Sequence, residues 1–475
     1  METKLGLQDG LVFDYTQMFG AKRLAQADLD NFKSEMEQAA EAVRKINETG
    51  FAKAHLSKDG TPEHVFFPRL ASLKEGHPNT EASIKALEDI GAKMKGHTDV
   101  VLSLGIGGSF LGDKVLFDVA AGDYWNEMSD EERGYYPRVY FSGNNLDPVA
   151  CVGLYKQLER LAAKKDGPLN VNLIVISKSG TTLETLGSFS YFYDILGKEP
   201  QRFNVEVTAV TGMSAAQSVM FRLAEEKGWP VFEVPEGVGG RFSVLSNCGL
   251  ILAAAIGMNI RELLKGAGEM ADYCLQAPAA ENPALTNAAL KFIAQKKLRA
   301  DIEVFMGYGA NLKSVGEWYV QLLAESLGKR MSREGELVNY GRSPIVAVGT
   351  TDMHAQTQQH QDGKRNKVVQ FLQIAKPAEE IVLGDPFPSE KAFGKYAGRE
   401  MSRLLLIAME SNEQALASDE RMSARYILPA LNARYLGQLF MFLMFSIAYE
   451  GELADVDAYD QPGVEAYKKI MNATI

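Results

Sequence analysis

Short apolar runs that end abruptly in small residues dominate the middle of the chain. Between residues 96 and 275 they are DVVLSLGIGGS, RVYFSGNN, NLIVISKSGTT, EVTAVTG and VFEVPEGVGGR, most of them separated by stretches long enough for a helix. Strands that are apolar on both faces and alternate with helices are typical of a parallel sheet covered on both sides. The pattern predicts a doubly wound α/β domain, whose ligand-binding edge lies at the loops that end the strands.

The same pattern returns after an Ala-rich helical segment. Between residues 276 and 440 the runs are DIEVFMGYG, SPIVAVGTTD and KVVQFLQI, which predict a second α/β domain. Residues 1–95 contain amphipathic segments such as ADLDNFKSEMEQAAEAVRKINE and are predicted to form a helical extension. From about Glu400 the chain is also predicted to be helical, with residues 441–475 as a C-terminal helical arm.

Composition and charge narrow the class of protein. The chain has 475 residues, 46% hydrophobic and 23% charged, which is typical of a soluble globular protein with more than one domain. Its net charge of −11 argues against a nucleic-acid partner. Three scattered cysteines and the lack of a signal-peptide pattern favour the cytoplasm. Residues 435–450, the most apolar segment, fall short of the roughly 18 apolar residues of a membrane span, so we expect no membrane partner and predict a buried or subunit-interface helix.

The loop SKSGTT, directly after the apolar run NLIVI, concentrates hydroxyl groups around one glycine. Its candidate contacts are Ser177, Ser179, Gly180, Thr181 and Thr182. A helix that begins at Thr182 would add free N–H groups and a dipole that favours an anion. An ordinary helix cap is the alternative, but four hydroxyl groups in six residues exceed what a cap requires. The loop is therefore predicted to bind phosphate.

Two glycine-rich turns are less specific. GIGGS, at residues 105–109, fails the dinucleotide fingerprint because Phe110 stands where the third glycine is needed. A Walker A motif is excluded because the chain has no Gly-Lys-Ser or Gly-Lys-Thr. In EGVGGRFSVLS, Arg241 follows two glycines, and its fixed charge suits the stabilisation of negative charge. The alternatives are a glycine turn of purely steric origin and an ordinary surface arginine.

Candidates for acid–base chemistry lie later in the chain. In SVGEWYVQLLAESLGK, Gln321 and Glu325 share one face of a predicted helix rich in large apolar residues. A carboxylate in low-dielectric surroundings has a raised pKa, as a general base requires, although a solvent-facing glutamate is the alternative. His354 follows a predicted strand at the ligand edge, and the other five histidines are expected at the surface. The chain contains no HExxH motif that would indicate a metal site. Lys468, taken by itself, is expected to be an ordinary solvated lysine near the C-terminus.

Together these segments resemble the glucose-6-phosphate isomerase family from about residue 100 to the C-terminus. EGVGGRFS and YDQPGVEAYK match its two signature stretches, and GIGGS, SKSGTT, QLLAES and TTDMHA occur in the family's order. The resemblance implies two sugar-isomerase (SIS) α/β domains with helical N- and C-terminal extensions, in a homodimer of the shorter bacterial type. It also implies interconversion of glucose 6-phosphate and fructose 6-phosphate through ring opening and a cis-enediol, without a metal or cofactor.

The resemblance also implies roles for individual residues. Those that would bind the substrate are Gly108, Ser109, Ser177, Lys178, Ser179, Thr182, Gln321 and Gln461. Those that would carry the chemistry are Glu325 as the base, Arg241 beside the enediolate, and His354 and Lys468 for ring opening. In the family the histidine comes from the partner subunit, so His354 would complete the neighbouring site. The chain departs from many members at Ser179-Gly180, where they have threonine and a bulkier residue.

Two other functions remain open at this stage. One is a non-catalytic SIS protein that senses sugar phosphates, and the other is an isomerase for another hexose phosphate, such as mannose 6-phosphate. A sensor needs the phosphate loop but not Arg241, Glu325 or His354, so their joint presence favours the enzyme. The motifs do not distinguish one hexose phosphate from another.

Overall fold

The computed structural model describes residues 3–216 and 218–474 of the chain. Its strands are, in chain order, β1 (Lys4–Gly6), β2 (Val12–Asp14), β3 (Phe51–Leu56), β4 (Pro62–His64), β5 (Val100–Leu104), β6 (Arg138–Ser142), β7 (Leu169–Ile176), β8 (Phe203–Thr211), β9 (Val231–Glu233), β10 (Ile302–Tyr308), β11 (Lys329–Met331), β12 (Leu337–Tyr340), β13 (Ser343–Gly349), β14 (Lys367–Lys376) and β15 (Met422–Ala430). Its α-helices are α1 (Gln26–Asp30), α2 (Lys33–Thr49), α3 (Glu81–Met94), α4 (Gly108–Ala120), α5 (Pro148–Ala162), α6 (Leu183–Gly197), α7 (Val219–Lys227), α8 (Asn247–Ala255), α9 (Ile260–Gln276), α10 (Pro283–Leu298), α11 (Lys313–Leu327), α12 (Thr357–Gln361), α13 (Lys391–Gly394), α14 (Met401–Ser418), α15 (Ala433–Leu453) and α16 (Pro462–Thr474).

Residues 64–264 form one compact unit around a parallel sheet. Among its described residues, five strands pair in the order β6-β5-β7-β8-β9, all of them parallel. Every residue of β5 and nearly every residue of β7 is buried, because these strands are apolar on both faces and contact the helices α4 and α6. The carboxyl ends of parallel strands meet at one edge, so the loops after β5, β7 and β9 share that edge. The strands predicted for this part of the chain are confirmed.

The other unit joins the residues up to 63 with those from 265 onward. Its main sheet has the order β1-β2-β15-β14-β10-β13 within the described residues. The strands β13, β10, β14 and β15 are parallel, whereas β2 runs antiparallel to β15. The helix α15 is buried continuously from Leu436 to Gly451, which confirms the predicted buried helix. None of the helices in the described ranges is both long and apolar enough to cross a membrane.

A buried ionic cluster ties this second unit together. Lys291 on α10 pairs with Glu303 on β10 and donates to the hydroxyl of Tyr426 at 2.8 Å. The Arg342 guanidinium donates to Glu303 at 3.0 Å and to Glu450 on α15 at 2.8 Å. The two positive and two negative charges of these side chains cancel. Buried ions need such compensation, because removing one partner leaves a buried charge without its counter-ion. The cluster therefore links two helices to the sheet.

Three predictions about the fold are wrong. Residues 1–95 are not a purely helical extension, because β1 and β2 extend the second unit's sheet and β3 pairs with β4. The chain beyond Glu400 is not wholly helical, because it contains the strand β15. The predicted boundary at residue 440 falls inside the continuous helix α15. Strands of three residues are too short to show the alternation of apolar and polar residues that identifies a strand. The strand β15 is identified only by its pairing with β14 and β2.

Candidate active site

The hydroxyl-rich loop joins β7 to α6, as the sequence predicts. The Ser177 hydroxyl accepts the Gly180 N–H at 3.1 Å and lies 3.2 Å from the Thr182 hydroxyl. Thr182 is the N-cap residue of α6, yet within the described residues its side chain forms no capping hydrogen bond. The alternative of an ordinary helix cap is therefore not supported. The loop instead brings hydroxyl groups and the N-terminus of a 15-residue helix to one place, which suits an anion.

The loop's backbone is held from the neighbouring strand. The Thr211 hydroxyl donates to the Ser177 carbonyl at 2.7 Å, and the Gly212 N–H donates to the Lys178 carbonyl at 3.0 Å. Gly180 has a φ of 63°, and a Cβ atom there would lie 2.7 Å from the backbone nitrogen of Met220. In this chain the position therefore requires glycine, which explains the departure from the family pattern. The side chains of Lys178 and Ser179 are exposed.

The GIGGS turn packs directly against the loop that carries Arg241. A Cβ atom on Gly108 would lie only 1.7 Å from the carbonyl oxygen of Gly240. On its other side, the turn is approached by Gly143. A Cβ atom added to Gly143 would lie 3.2 Å from the Gly105 nitrogen and 3.3 Å from the Thr185 Cα. The loops after β5 and β6 and the first turn of α6 are therefore neighbours. Close packing is one reason for glycine at position 108, and it places the candidate contact Gly108 beside Arg241.

Arg241 is not a surface residue. It lies in the 3-10 helix Gly240–Leu245, only 1% of its surface is exposed, and its guanidinium lies 5.5 Å from the centre of the Phe242 ring. A permanently charged group in such a position is costly unless negative charge or hydrogen-bond acceptors face it. It follows the last strand of the sheet, β9, at the carboxyl edge, where a fixed positive charge is suited to stabilising a negatively charged ligand.

Asp113 on α4 was missed by the sequence reasoning. It is fully buried, and its Oδ2 atom accepts a hydrogen bond from the Ser103 hydroxyl at 2.9 Å. Burial raises the pKa of Asp113 well above its usual value, because removal from water disfavours the charged form of the carboxyl group. The only sequence signal was an aspartate on a mainly apolar helix, five residues after Gly108.

The predicted base and its neighbour do lie together on α11. The Gln321 side-chain amide donates to the Glu325 carboxylate at 3.0 Å. Both side chains are half-buried, on a helix whose Trp318, Leu322 and Ser326 are fully buried. The alternative of a freely solvated glutamate does not fit this arrangement. A carboxylate oriented by a neighbouring amide is a suitable general base.

His354 follows the end of β13, as predicted, and its side chain is exposed. Its backbone N–H donates to the Thr351 carbonyl at 3.1 Å. The expectation that the other histidines lie at the surface is wrong for two of them, since His55 is 6% exposed and His360 is 4% exposed. Burial lowers the pKa of His360. His360 lies in the polar segment TQQHQ, and His55 lies in a strand whose other residues are mostly intermediate or exposed, so neither local sequence indicates a buried ring.

Gln461 and Lys468 are placed by the C-terminal helix α16. Gln461 is exposed and immediately precedes the helix. The Lys468 ammonium group is exposed and lies 3.6 Å from the carboxylate of Glu465, which also pairs with Lys58 at 3.1 Å. The contact between Lys468 and Glu465 is local to the helix, so it leaves the lysine at the protein surface.

No metal site is formed by the candidate residues. Within residues 3–216 and 218–474, no group of three or more His, Cys, Asp or Glu side chains has an arrangement that could hold a metal ion.

The sequence model of the family described as phosphoglucose isomerase matches residues 41–475. The chain belongs to the phosphoglucose isomerase family. Every candidate site residue lies within the matched range. Two curated relatives are named glucose-6-phosphate isomerase: one from Carboxydothermus hydrogenoformans is 34% identical over 96% of this chain and 91% of its own length, and one from Streptococcus thermophilus is 30% identical over 98% and 95%.

Solved structures agree with the fold expected of a phosphoglucose isomerase family member. A glucose-6-phosphate isomerase from Chlamydia trachomatis has a TM-score of 0.81 and 21% identity, covering 99% of this chain and 89% of that one. A hypothetical protein from Thermus thermophilus has a TM-score of 0.77 and 27% identity, covering 94% and 96%. The α/β class with parallel sheets that the resemblance implied is therefore confirmed.

Proposed function

We propose that the protein is an aldose–ketose isomerase that interconverts D-glucose 6-phosphate and D-fructose 6-phosphate through ring opening and a cis-enediol. The observation that carries this conclusion is the family match over residues 41–475, together with relatives named glucose-6-phosphate isomerase. This reaction follows the phosphorylation of glucose in glycolysis, and it runs in the reverse direction in gluconeogenesis. It transfers protons within one substrate, so it requires no redox cofactor, and the route proposed here uses side chains in place of a metal.

The substrate phosphate is assigned to the loop between β7 and α6. The hydroxyl groups of Ser177 and Thr182 already lie 3.2 Å apart at the start of α6, and the exposed Lys178 and Ser179 add a charge and a further donor. A dianion gains from the helix dipole and from short hydrogen bonds at such a site. Gln461 is the remaining assigned contact on the phosphate side. Binding energy at the phosphate, remote from the reacting carbons, positions the substrate for the chemical step.

The isomerisation is assigned to Glu325, Gln321 and Arg241. Glu325 removes the proton from C2 of the open aldose and returns it to C1, while the proton of the C2 hydroxyl passes to the C1 oxygen, so the carbonyl moves from C1 to C2. The hydrogen bond from Gln321, at 3.0 Å, orients the carboxylate for this transfer. Arg241 stabilises the negative charge that develops on the enediolate oxygen, and Gly108 and Ser109 contact the sugar beside it.

Ring opening is assigned to His354 and Lys468. One of them must deliver a proton to the ring oxygen while the other accepts a proton from the C1 hydroxyl. Imidazole and ammonium groups are chemically suited to this exchange. Both side chains are exposed, so both are available to a ligand or to a second subunit.

We further propose that the protein is a cytoplasmic homodimer in which His354 completes the partner's site. The exposed His354 supports this, because a catalytic histidine with no cover from its own chain is suited to an assembled site. The segment between β14 and α14 also supports the dimer. Its exposed large apolar side chains are Ile381, Val382, Phe387, Phe393 and Tyr396. A cluster of this kind is typical of a surface that a partner covers.

A coupled assay tests the function. Fructose 6-phosphate is supplied, and glucose 6-phosphate is followed through its dehydrogenase with and without EDTA. We expect turnover that persists in EDTA and a loss of at least ~100-fold in kcat for Glu325→Gln. The matched control is Glu317→Gln on the same helix, where the carboxylate pairs with Lys313 at 3.2 Å.

The outcomes separate the remaining functions. An inactive wild-type protein that binds sugar phosphate would favour the sensor. Faster turnover of mannose 6-phosphate would favour an isomerase for another hexose phosphate. Full activity of Glu325→Gln would refute the assigned base.

A further inference from the structure

The segment that leads to Gln461 and Lys468 is bound to the strand that directly follows the helix of Glu325. Lys329 begins β11, four residues after Glu325, and only 5% of its side chain is exposed. Its ammonium group donates to the Asp460 carboxylate at 2.6 Å and also to the backbone carbonyl of Asp460. Asp460 is adjacent to Gln461, and α16 begins one residue further on. The contact therefore joins the end of α11 to the start of α16.

Other contacts hold the earlier part of the same segment. Arg333 donates to Asp455 at 3.0 Å, and His55 is hydrogen-bonded to Asp457 at 2.9 Å. Burial raises the pKa of Asp457, but hydrogen bonds from His55 and the Tyr459 N–H, together with nearby positive charge such as that of Lys329, outweigh it, so the pKa of Asp457 is lowered overall. These contacts anchor the chain before Asp460. The contact from Lys329 to Asp460 is the one that lies next to Gln461 in the chain.

We propose that Lys329 is a positioning residue for the isomerase, which acts through Asp460 to set the start of α16. It thereby determines where Gln461 and Lys468 lie relative to Glu325. The inference rests on the role proposed above for Lys468. The ammonium group of Lys329 is engaged by the carboxylate and the carbonyl of Asp460, so its role is to hold this segment and not to bind substrate. It is useful to catalysis because displacing a reacting group by about 1 Å costs on the order of 100-fold in rate.

A double-mutant cycle distinguishes positioning from simple stabilisation of the fold. The variants are Lys329→Met, Lys468→Ala and the combination, assayed with fructose 6-phosphate well below the unfolding temperature of each. We expect Lys329→Met to lower kcat by about 10- to 100-fold in the otherwise wild-type enzyme. In the Lys468→Ala background the same change should lower kcat by less than about threefold, because the group that it positions is already gone.

The matched control is Lys367→Met. Lys367 is also buried, at 9% exposure, and donates to the Lys364 carbonyl at 2.9 Å, but it begins β14 and so lies at the opposite edge of the sheet from the carboxyl ends. We expect it to lower the unfolding temperature while leaving kcat within about twofold of wild type. If Lys329→Met does not fold, Asp460→Asn takes its place, since it keeps the backbone acceptor and removes only the charge.

Three results would overturn the inference. Equal losses for Lys329→Met in both backgrounds would show that the pair only stabilises the fold, and wild-type kcat for Lys329→Met or Asp460→Asn would show that it has no kinetic role. Full activity of Lys468→Ala would refute the role on which the inference rests. An inactive wild-type enzyme would instead refute the proposed function itself.

Discussion

Replacing Gly108 by alanine tests whether the GIGGS turn and the Arg241 loop form one packed unit. The new Cβ atom would lie 1.7 Å from the Gly240 carbonyl oxygen and 2.2 Å from its carbon, whereas Cβ atoms in proteins essentially never approach other heavy atoms closer than 3.0 Å. One of the two loops must therefore retreat by about 1.3 Å. The neighbouring atoms belong to backbone, so a side-chain rotation does not relieve the contact. The displacement falls on the residue directly before Arg241.

A shift of this size at a catalytic group is expected to lower kcat/KM by about 100-fold, equivalent to about 2.7 kcal/mol of lost transition-state stabilisation. Overpacking also costs about 1 to 3 kcal/mol of stability, so the unfolding temperature should fall by a few degrees. The measurements are coupled-assay kinetics and thermal unfolding of the purified variant.

Gly153→Ala is the matched control for this substitution. Gly153 lies within α5, and a Cβ atom there meets nothing within 4 Å. We expect unchanged kinetics and an equal or slightly higher unfolding temperature, because alanine is the better helix former. Wild-type kinetics and stability for Gly108→Ala would refute the packing of the two loops, and loss of stability with unchanged kcat/KM would refute the assignment of Arg241.

Two further predictions concern the buried carboxyl group and the shared site. Because the pKa of Asp113 is raised in the folded state, its contribution to stability is complete at acidic pH and is lost as the pH rises toward the folded pKa. Unfolding in urea should therefore show Asp113→Asn gaining stability over wild type as the pH rises above the ordinary Asp pKa of about 4, by up to about 1.4 kcal/mol per pH unit. A difference that does not change with pH would contradict this. For the homodimer, co-expression of His354→Ala with Glu325→Gln should restore about a quarter of wild-type activity, because half of the dimers are mixed and each has one intact site. Complementation below about 1% would show that His354 serves its own chain or no site.

Local patterns predicted those parts of the molecule that depend on neighbouring residues in the chain. The apolar runs identify the strands from β5 to β10 and the strands β13 and β14, because residues buried on both faces must be apolar wherever they lie in a sheet. The loop of Ser177 and Thr182 and the pair Gln321–Glu325 were likewise visible, since their members are within five residues of each other. The resemblance to a family then supplied roles that no single motif could establish.

Long-range contacts decided the rest. The short strand β2 pairs with β15 from the far end of the chain, and β1 joins the sheet through β2, so the sequences of these strands show little of the period expected for a sheet. The burial of Arg241, Asp113 and His55 was invisible for the same reason: polar side chains are usually exposed, and only a tertiary partner makes their burial tolerable.

The sequence by itself determined the α/β class, the order along the chain of the apolar strands from β5 to β10 with β13 and β14, and the chemical types available at their carboxyl ends. These properties follow from hydrophobic period and local chain geometry, which any fold of this chain must satisfy. Only the tertiary structure decided that Gly108 lies against Gly240, that Asp113 is buried, and that Lys329 holds Asp460. Such contacts join residues that are far apart in the chain, and their energies depend on packing and on the exclusion of water.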